Sequence, residues 1–196
     1  MARSEVEVSF LLAGPRAALG PLRTDLAALY ARWWNDREVR RGLSSIDIWT
    51  VEAAEKWVTE AGAASTGQQP TAAHFTVYAT AEAVPVGTLA LMSIDHRHRR
   101  ADFGILIGDR RGEGIGGDAT LLTLEWAFEV IGLENVLLSV LPSNQAGIRA
   151  YEKAGFKVIG RRRNAAASTG AREDELLMDA VAADFHAREG ASRRDG

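Results

Sequence analysis

The stretch RRGEGIGG, residues 110–117, is the densest cluster of glycines in the 196-residue chain. Glycine has no β-carbon, so closely spaced glycines let a backbone approach a phosphate group. Two phosphate-binding patterns overlap in this stretch. From Gly112 it spells G-x-G-x-x-G, the pattern of dinucleotide-binding loops, and from Arg111 it spells R-x-x-G-x-G. The surrounding sequence has to decide between the two.

The composition limits the classes of protein that this chain can represent. Hydrophobic residues make up 46% and charged residues 25%, which favours one packed domain over disorder. The formal net charge is -3, so the basic surplus typical of nucleic-acid binding is missing and we expect no nucleic-acid partner. There is no cysteine, which excludes disulfides, zinc-thiolate sites and a cysteine nucleophile.

The N-terminal segment does not have the pattern of a signal peptide. Glu5 and Glu7 interrupt it, and its apolar run is short. No stretch of the chain is long and apolar enough to span a bilayer. We therefore expect a soluble cytoplasmic protein with no membrane partner.

Hydrophobic spacing predicts a mixed α/β domain with helices on both faces of a sheet. Short connectors join three central strands, so these strands should be antiparallel neighbours. We predict a single domain over residues 1–187 and a flexible tail over 188–196. The predicted strands are 6–12, 17–22, 74–80, 86–94, 101–108, 135–141, 156–163 and 173–181. The predicted helices are 23–40 with a cap at Thr24 or Asp25, 50–61, 116–131, and one that begins at Ser143 or Asn144 and ends at Gly155.

The dinucleotide interpretation lacks a required part. Such a site has an acidic residue about 20 positions beyond the glycines to hold a ribose. Here the following strand ends in Val140, Leu141 and Pro142 instead. A P-loop is excluded because no Lys-Ser or Lys-Thr pair follows the glycines. A kinase-type glycine loop is excluded because such a loop lies in a hairpin, whereas the glycines of this chain precede a predicted helix.

The second pattern resembles the acyl-CoA loop R/Q-x-x-G-x-G/A of the GNAT N-acetyltransferase superfamily. Residues 144–156, NQAGIRAYEKAGF, resemble that family's second signature, with Asn144, then Tyr151, then Gly155-Phe156. Residues 19–39, LGPLRTDLAALYARWWNDREV, resemble its ribosomal-protein-type branch, which acts on protein N-termini, antibiotics and other small amines. The resemblance covers roughly residues 17 to 185.

The resemblance implies acetyl-CoA as co-substrate, no metal, and a mostly antiparallel sheet that splays open at the acyl-CoA site. The strands that separate would be 102–107 and 136–140. Backbone N–H groups from Gly112 to Gly117 can form a nest for the pyrophosphate at the N-terminus of the next helix. The predicted cofactor-binding residues are Ile105, Leu106, Ile107, Arg111, Gly112, Glu113, Gly114, Ile115, Gly116, Gly117 and Asn144.

The resemblance also implies the catalytic groups. Tyr151 would protonate the departing thiolate, and Asp102 would be the general base, although an ordinary strand-edge carboxylate explains Asp102 equally well. Asn144 either caps its helix, bonds the pantetheine amide, or does both. His96 and His98 sit among arginines, which disfavours a metal site.

The expected activity is transfer of an acetyl group to a primary amine by direct attack in a ternary complex. Two alternatives stay open: a regulatory module that binds acyl-CoA, and an acyltransferase that uses another acyl group or a hydroxyl acceptor. A homodimer is compatible with the aromatic residues of the first helices. The predicted acceptor-binding residues are Trp33, Trp34, Asp36, Asp47, Trp49 and His74.

Overall fold

The computed structural model describes residues 9–43, 45–168 and 171–192, with eight strands and six α-helices in that part of the chain. The strands are β1 (Leu12–Ala13), β2 (Ala17–Pro21), β3 (Ala73–Ala79), β4 (Val84–Asp95), β5 (Arg100–Ile107), β6 (Asn135–Val140), β7 (Lys157–Ser168) and β8 (Ala171–Val181). The helices are α1 (Ala27–Asn35), α2 (Arg37–Leu43), α3 (Val51–Ala64), α4 (Ile115–Glu125), α5 (Gln145–Ala154) and α6 (Ala182–Ser192).

All eight strands form one sheet in the order β1-β2-β3-β4-β5-β6-β8-β7. Every neighbouring pair is antiparallel except β5 and β6, which are parallel. Helices α4, α5 and α6 bury one face of the sheet, and α1 and α3 bury the other. The predicted mixed, mostly antiparallel sheet flanked by helices is confirmed.

The sheet opens between β5 and β6. Their register within the described residues runs from Arg100↔Asn135 to Asp102↔Leu137 and goes no further. Strand β5 nevertheless continues to Ile107 and β6 to Val140, and β6 stays paired with β8 to its end. The predicted splay is confirmed, and it leaves backbone groups of both strands facing a gap.

The predicted single helix over residues 23–40 is wrong, because Asp36 breaks it. Asp36 is extended, with φ -60° and ψ 135°, and its Oδ1 accepts hydrogen bonds from the backbone N–H groups of Glu38 and Val39, both at 3.0 Å. An aspartate that caps a new helix competes with continuation of the old one. The chain therefore turns at Asp36, and α2 begins there.

The predicted caps at Thr24 and Asp25 are also wrong. Thr24–Leu26 form a 3-10 turn ahead of α1, and no side chain caps either element. Asp25 instead pairs with Arg23 at 2.6 Å. Thr50, the first residue of the predicted helix 50–61, caps α3, since its Oγ1 accepts from the N–H of Ala53 at 3.1 Å.

Both ends of the chain differ from the predicted elements. Of the predicted strand 6–12, residues 6–8 lie outside the described residues, and regular pairing begins at Leu12↔Leu19. Helix α6 was not predicted, and it includes residues 188–192 of the predicted tail, while 193–196 lie outside the described residues. None of the described helices is long and apolar enough to cross a membrane.

The helix that follows the glycine loop ends where the sequence predicts. After α4 it continues as a π-helical turn over Trp126–Ile131. Gly132 then adopts φ 77°, a left-handed conformation that suits glycine. A short turn then leads into β6, and α5 begins five residues after β6 ends.

Candidate active site

A cavity of about 500 Å³ lies where β5 and β6 separate. The glycine loop and five helices and strands, β5, α4, β6, α5 and α2, form the walls of this cavity. Strand β5 contributes Ile105, Leu106 and Ile107; the loop and the start of α4 contribute Arg110, Arg111, Gly112, Gly114, Ile115, Gly116 and Gly117; β6 contributes Ser139 and Val140; α5 and its cap contribute Asn144, Ala146, Gly147, Ala150 and Tyr151; and α2 contributes Glu38, Val39, Gly42 and Leu43.

The glycine loop has the backbone conformation that its sequence predicts. Gly112 has φ 86° and Gly114 has φ 81°, both in the left-handed region where a side chain is strained. Gly114 is the residue that precedes the first turn of α4. The free N–H groups of a helix start are therefore presented at the cavity, with the positive end of the helix dipole behind them.

Glu113 departs from its predicted place at the cofactor. It is not among the described residues that line the cavity. Its carboxylate pairs with Arg110 at 2.7 Å, and its backbone oxygen accepts from Arg16 at 3.3 Å. Glu113 therefore faces the outer side of the loop.

Asp118, in the first turn of α4, holds the outer side of the loop and was missed by the sequence prediction. Its Oδ2 accepts from the backbone N–H groups of Arg16 and Ala17 at 2.9 and 2.7 Å. These two bonds tie the turn before β2 to the base of the glycine loop. The available signal was an acid in the first turn of a helix, which indicates a dipole contact as readily as a long-range tie.

Tyr151 lies on α5 and faces the cavity. Its ring packs edge-on against Phe103 and Phe156, with centroids 6.2 and 5.9 Å away. Desolvation by these surroundings raises the pKa of Tyr151 to about 12. The phenol therefore stays protonated at neutral pH and can donate its proton.

Asn144 both caps α5 and lines the cavity. Its Oδ1 accepts from the N–H of Gly147 at 2.9 Å. At the other end of α5, Gly155 ends the helix with φ 117°. The cap is thus observed, and the same side chain is placed where a pantetheine arm could meet it.

Asp102 lies on the opposite face of β5 from Tyr151. Side chains alternate along a strand, and Phe103, which contacts Tyr151, belongs to the core under α4 and α5. Asp102 is exposed, at the last paired position before the strands separate, and outside the set of described residues that line the cavity. It lies at the edge of the gap, on the face that α1 and α3 cover.

Arg111 lines the cavity, but carboxylates of the first helices surround its guanidinium. Nε donates to the backbone oxygen of Ile107 at 2.7 Å. Nη2 pairs with Asp36 at 2.9 Å, and Nη1 pairs with Glu38. Asp36 also accepts backbone hydrogen bonds from Val39 and Glu38, which together with Arg111 lower the pKa of its carboxyl. The predicted acceptor contact Asp36 is thus committed to other groups.

Most of the chain, including the elements around the cavity, matches a known family of proteins. Residues 16–157 match the family model described as Acetyltransferase (GNAT) domain, which covers more than half of the chain. The chain belongs to the GNAT acetyltransferase family. The matched region includes the glycine loop, both strands that separate, and Tyr151.

Individual relatives match parts of the GNAT chain at moderate identity. Spermidine N(1)-acetyltransferase of Escherichia coli (strain K12) is 37% identical over 75 residues, which is 38% of this chain and 40% of that relative. The chain thus aligns with less than half the length of this curated relative.

Solved structures reproduce the fold at low identity. Spermidine N-acetyltransferase from Vibrio cholerae, in complex with CoA and spermine, superposes with a TM-score of 0.79 and 19% identity, covering 88% of this chain and 99% of that one. Mycobacterium smegmatis RimJ, in complex with CoA-disulfide, gives a TM-score of 0.77 and 20% identity, covering 90% of each chain. At these identities the likeness shows the fold.

The tryptophans predicted to contact the acceptor pack against each other and against the GNAT core. Trp33 is 1% exposed, and its Nε1 donates to Asp109 at 2.8 Å. Trp34 stacks on Trp49 with centroids 5.0 Å apart, and Trp57, which the prediction did not include, contacts both edge-on. None of these four is among the described residues that line the cavity. These four residues form an aromatic cluster of α1, α3 and the connector between them, behind the residues that line the cavity.

The two other predicted acceptor residues also lie away from the cavity lining. His74, on β3, is half-buried with its ring 6.0 Å from that of Trp57, and burial lowers its pKa. Asp47 is exposed in the connector before α3, where it accepts from Ser45 at 3.3 Å. In the described part of the chain, no three His, Asp or Glu side chains are grouped to hold a metal ion.

Proposed function

We propose that the protein is an acetyl-CoA-dependent N-acetyltransferase that moves an acetyl group to a primary amine. One observation carries this proposal. The glycine loop, the separated strands β5 and β6, and the protonated phenol of Tyr151 all border the same cavity. Each feature meets a separate need of acetyl transfer from a thioester.

The cofactor half of the cavity can hold CoA largely through backbone groups. N–H groups of residues 112–117 would bind the pyrophosphate at the start of α4, where the helix dipole favours negative charge. Backbone groups of Ile105, Leu106 and Ile107 face the gap that β6 leaves, so they can hydrogen-bond the pantetheine amides. A backbone N–H of this segment would also stabilise the oxyanion.

The amine then attacks the thioester carbonyl directly within the ternary complex. A C–N bond forms, the C–S bond breaks, and the amine loses one proton to a base while the thiolate gains one. Tyr151 supplies the proton to sulfur and is reprotonated from solvent. Burial disfavours the charged form of an acid, so a thiolate that leaves beside Tyr151 has its own pKa raised as well and takes up a proton more readily.

Asp102 is the proposed base, acting through water. It lies at the edge of the gap, on the face opposite Tyr151, so an amine between the two strands would have the acid on one side and the base on the other. Asp102 is exposed on that face, so water can reach its carboxylate. The proton of the attacking amine can then leave on the side away from the sulfur.

The first experiment is a thiol-release assay with acetyl-CoA and a panel of amines. The panel contains spermidine and spermine, aminoglycosides, free amino acids, and peptides with free N-termini. We expect release with one class of amine, and a fall in kcat of about 100-fold or more in Tyr151→Phe, the usual loss on removing a general acid. The affinity for CoA, measured by calorimetry, should stay unchanged because the phenyl ring keeps its packing.

Two results would contradict the proposal. Full activity in Tyr151→Phe would remove the assigned acid. Tight CoA binding with no thiol release from any amine would favour the regulatory module that binds acyl-CoA.

A further inference from the structure

Two residues of the segment that leads into the glycine loop, Asp109 and Arg111, contact the first two helices. Asp109 pairs with Arg32 and accepts from the indole of Trp33, both on α1. Arg111 pairs with Asp36 and Glu38 at the start of α2. The segment that leads into the glycine loop is therefore bound to both sides of the α1–α2 junction.

Helix α2 is the part of the first helices that borders the cavity directly. Its residues Glu38, Val39, Gly42 and Leu43 line the cavity. The helix is only seven residues long, and Val39 is its one buried residue. Such a short element depends on tertiary contacts to stay in place. The ion pairs of Asp36 and Glu38 with Arg111 join it to the glycine loop.

We propose that Arg111 is a positioning residue that holds α2 over the cavity and so shapes the acceptor site, and that it is not a ligand of the cofactor phosphates. The assignment of α2 to the acceptor side rests on the proposed function. The contact itself does not.

The charges around Arg111 support this role. Two carboxylates share one guanidinium, and its third contact is the backbone oxygen of Ile107. A phosphate at this guanidinium would meet Asp36 and Glu38, which repel it. Arg110 is neutralised in the same way by Glu82 and Glu113. The backbone N–H groups at the start of α4 have the positive end of the helix dipole behind them instead, so they remain the better phosphate site.

Two variants separate the two roles of Arg111. Arg111→Gln removes the guanidinium and would weaken either a phosphate contact or the hold on α2. The double variant Asp36→Asn with Glu38→Gln removes the opposing charges and leaves Arg111 intact. Asparagine caps helices as well as aspartate does, so the start of α2 is preserved. Arg41→Gln, an exposed position on the same helix, is the matched control for loss of one positive charge.

Three quantities are measured for each variant: the Kd of CoA, the KM of the best amine from the panel, and hydrogen exchange of the α2 amides in the ligand-free protein. We expect both variants to raise the amine KM about two- to fivefold, the effect of partly exposed ion pairs. Exchange of the α2 amides should accelerate in both, the Kd of CoA should stay within about twofold, and Arg41→Gln should match the wild type. Combining all three substitutions should add nothing further, because they remove one interaction.

Other results overturn the proposal. A higher Kd of CoA in Arg111→Gln together with a lower one in the double variant would make Arg111 a phosphate ligand. Unchanged exchange of α2 would show that Arg111 does not hold the helix, whatever the activity. Faster exchange of α2 without turnover in any protein would support the hold on α2 and contradict the proposed acetyl transfer instead.

Discussion

The two sides of the cavity are built from different kinds of atoms. The proposed cofactor wall, formed by residues 105–107, 112, 114–117 and α5, presents backbone N–H groups, glycines and one phenol. The proposed acceptor wall, formed by α2 with α1 and the aromatic cluster behind it, is held by side chains. Its contacts are stacked indoles and ion pairs of Asp36, Glu38 and Asp109 with residues elsewhere in the chain.

This difference explains how each wall can vary. A backbone wall needs glycine at a few positions and tolerates changes elsewhere, so it suits a ligand that is always the same. A side-chain wall can be rebuilt by substitution at few positions without disturbing the sheet. We therefore expect substitutions in α2, or in the residues that contact it, to change which amine is accepted and to leave CoA binding unchanged.

The largest expected effect is a loss of stability when the packing behind the acceptor wall is disturbed. A β-carbon at Gly108 would lie 2.1 Å from Cδ1 of Trp33, a ring that is fully buried and cannot move aside. Gly108→Ala should therefore lower the free energy of unfolding by about 2–3 kcal/mol, measured by urea denaturation. The control is Gly62→Ala in α3, where a β-carbon meets nothing within 4 Å, and stability should rise by up to about 1 kcal/mol. Equal stability of the two variants would show that the acceptor wall does not depend on this packing.

A smaller effect sharpens the description of the cofactor wall. Asn144→Ala removes the cap of α5 and should lower the free energy of unfolding by about 1 kcal/mol, whereas Asn144→Asp keeps a capping oxygen and should cost less. If Asn144 also bonds the pantetheine amide through its Nδ2, both variants should weaken CoA binding equally. Calorimetric titration with CoA then separates the two roles: a normal Kd in Asn144→Asp would limit Asn144 to the cap.

The smallest effect concerns His74 behind the acceptor wall. Burial lowers its pKa in the folded protein, so near pH 6 the unfolded chain binds a proton that the folded chain does not. The stability contribution of His74 is complete above about pH 6.5, the ordinary pKa, and is lost as the pH falls through the lower folded pKa. His74→Phe keeps a ring against Trp57 and should flatten the fall of Tm between about pH 7 and 5. Parallel profiles for the two proteins would place His74 in a solvated environment.

The sequence predicts those features that depend on neighbouring residues. The three antiparallel strands, the helix starts at Thr50 and Asn144, and the helix ends at Ile131 and Gly155 all follow from local patterns and are confirmed. The glycine loop was predicted for the same reason, since its pattern and its helix are contiguous.

The acceptor wall could not be predicted in this way because its contacts join distant parts of the chain. Arg111 and Asp36 are 75 residues apart, and Trp33 and Asp109 are 76 apart. The break at Asp36 is hidden for a related reason: helical spacing continues on both sides of it. Spacing along one segment identifies aromatic and acidic residues there. It does not show which of these residues will bind other residues of the protein and which will face a ligand.

The gap between β5 and β6 has a consequence for the life of the protein in a cell. The sheet is two half-sheets that meet at three paired positions, from Arg100↔Asn135 to Asp102↔Leu137. A molecule that fills the gap bridges the halves and binds only the folded form, so a concentration of 100 times its Kd adds about 2.7 kcal/mol of stability. Proteases act on opened chains. If acetyl-CoA is the molecule that fills the gap, as proposed above, the fraction of the protein that is open to proteases should fall as the concentration of acetyl-CoA rises.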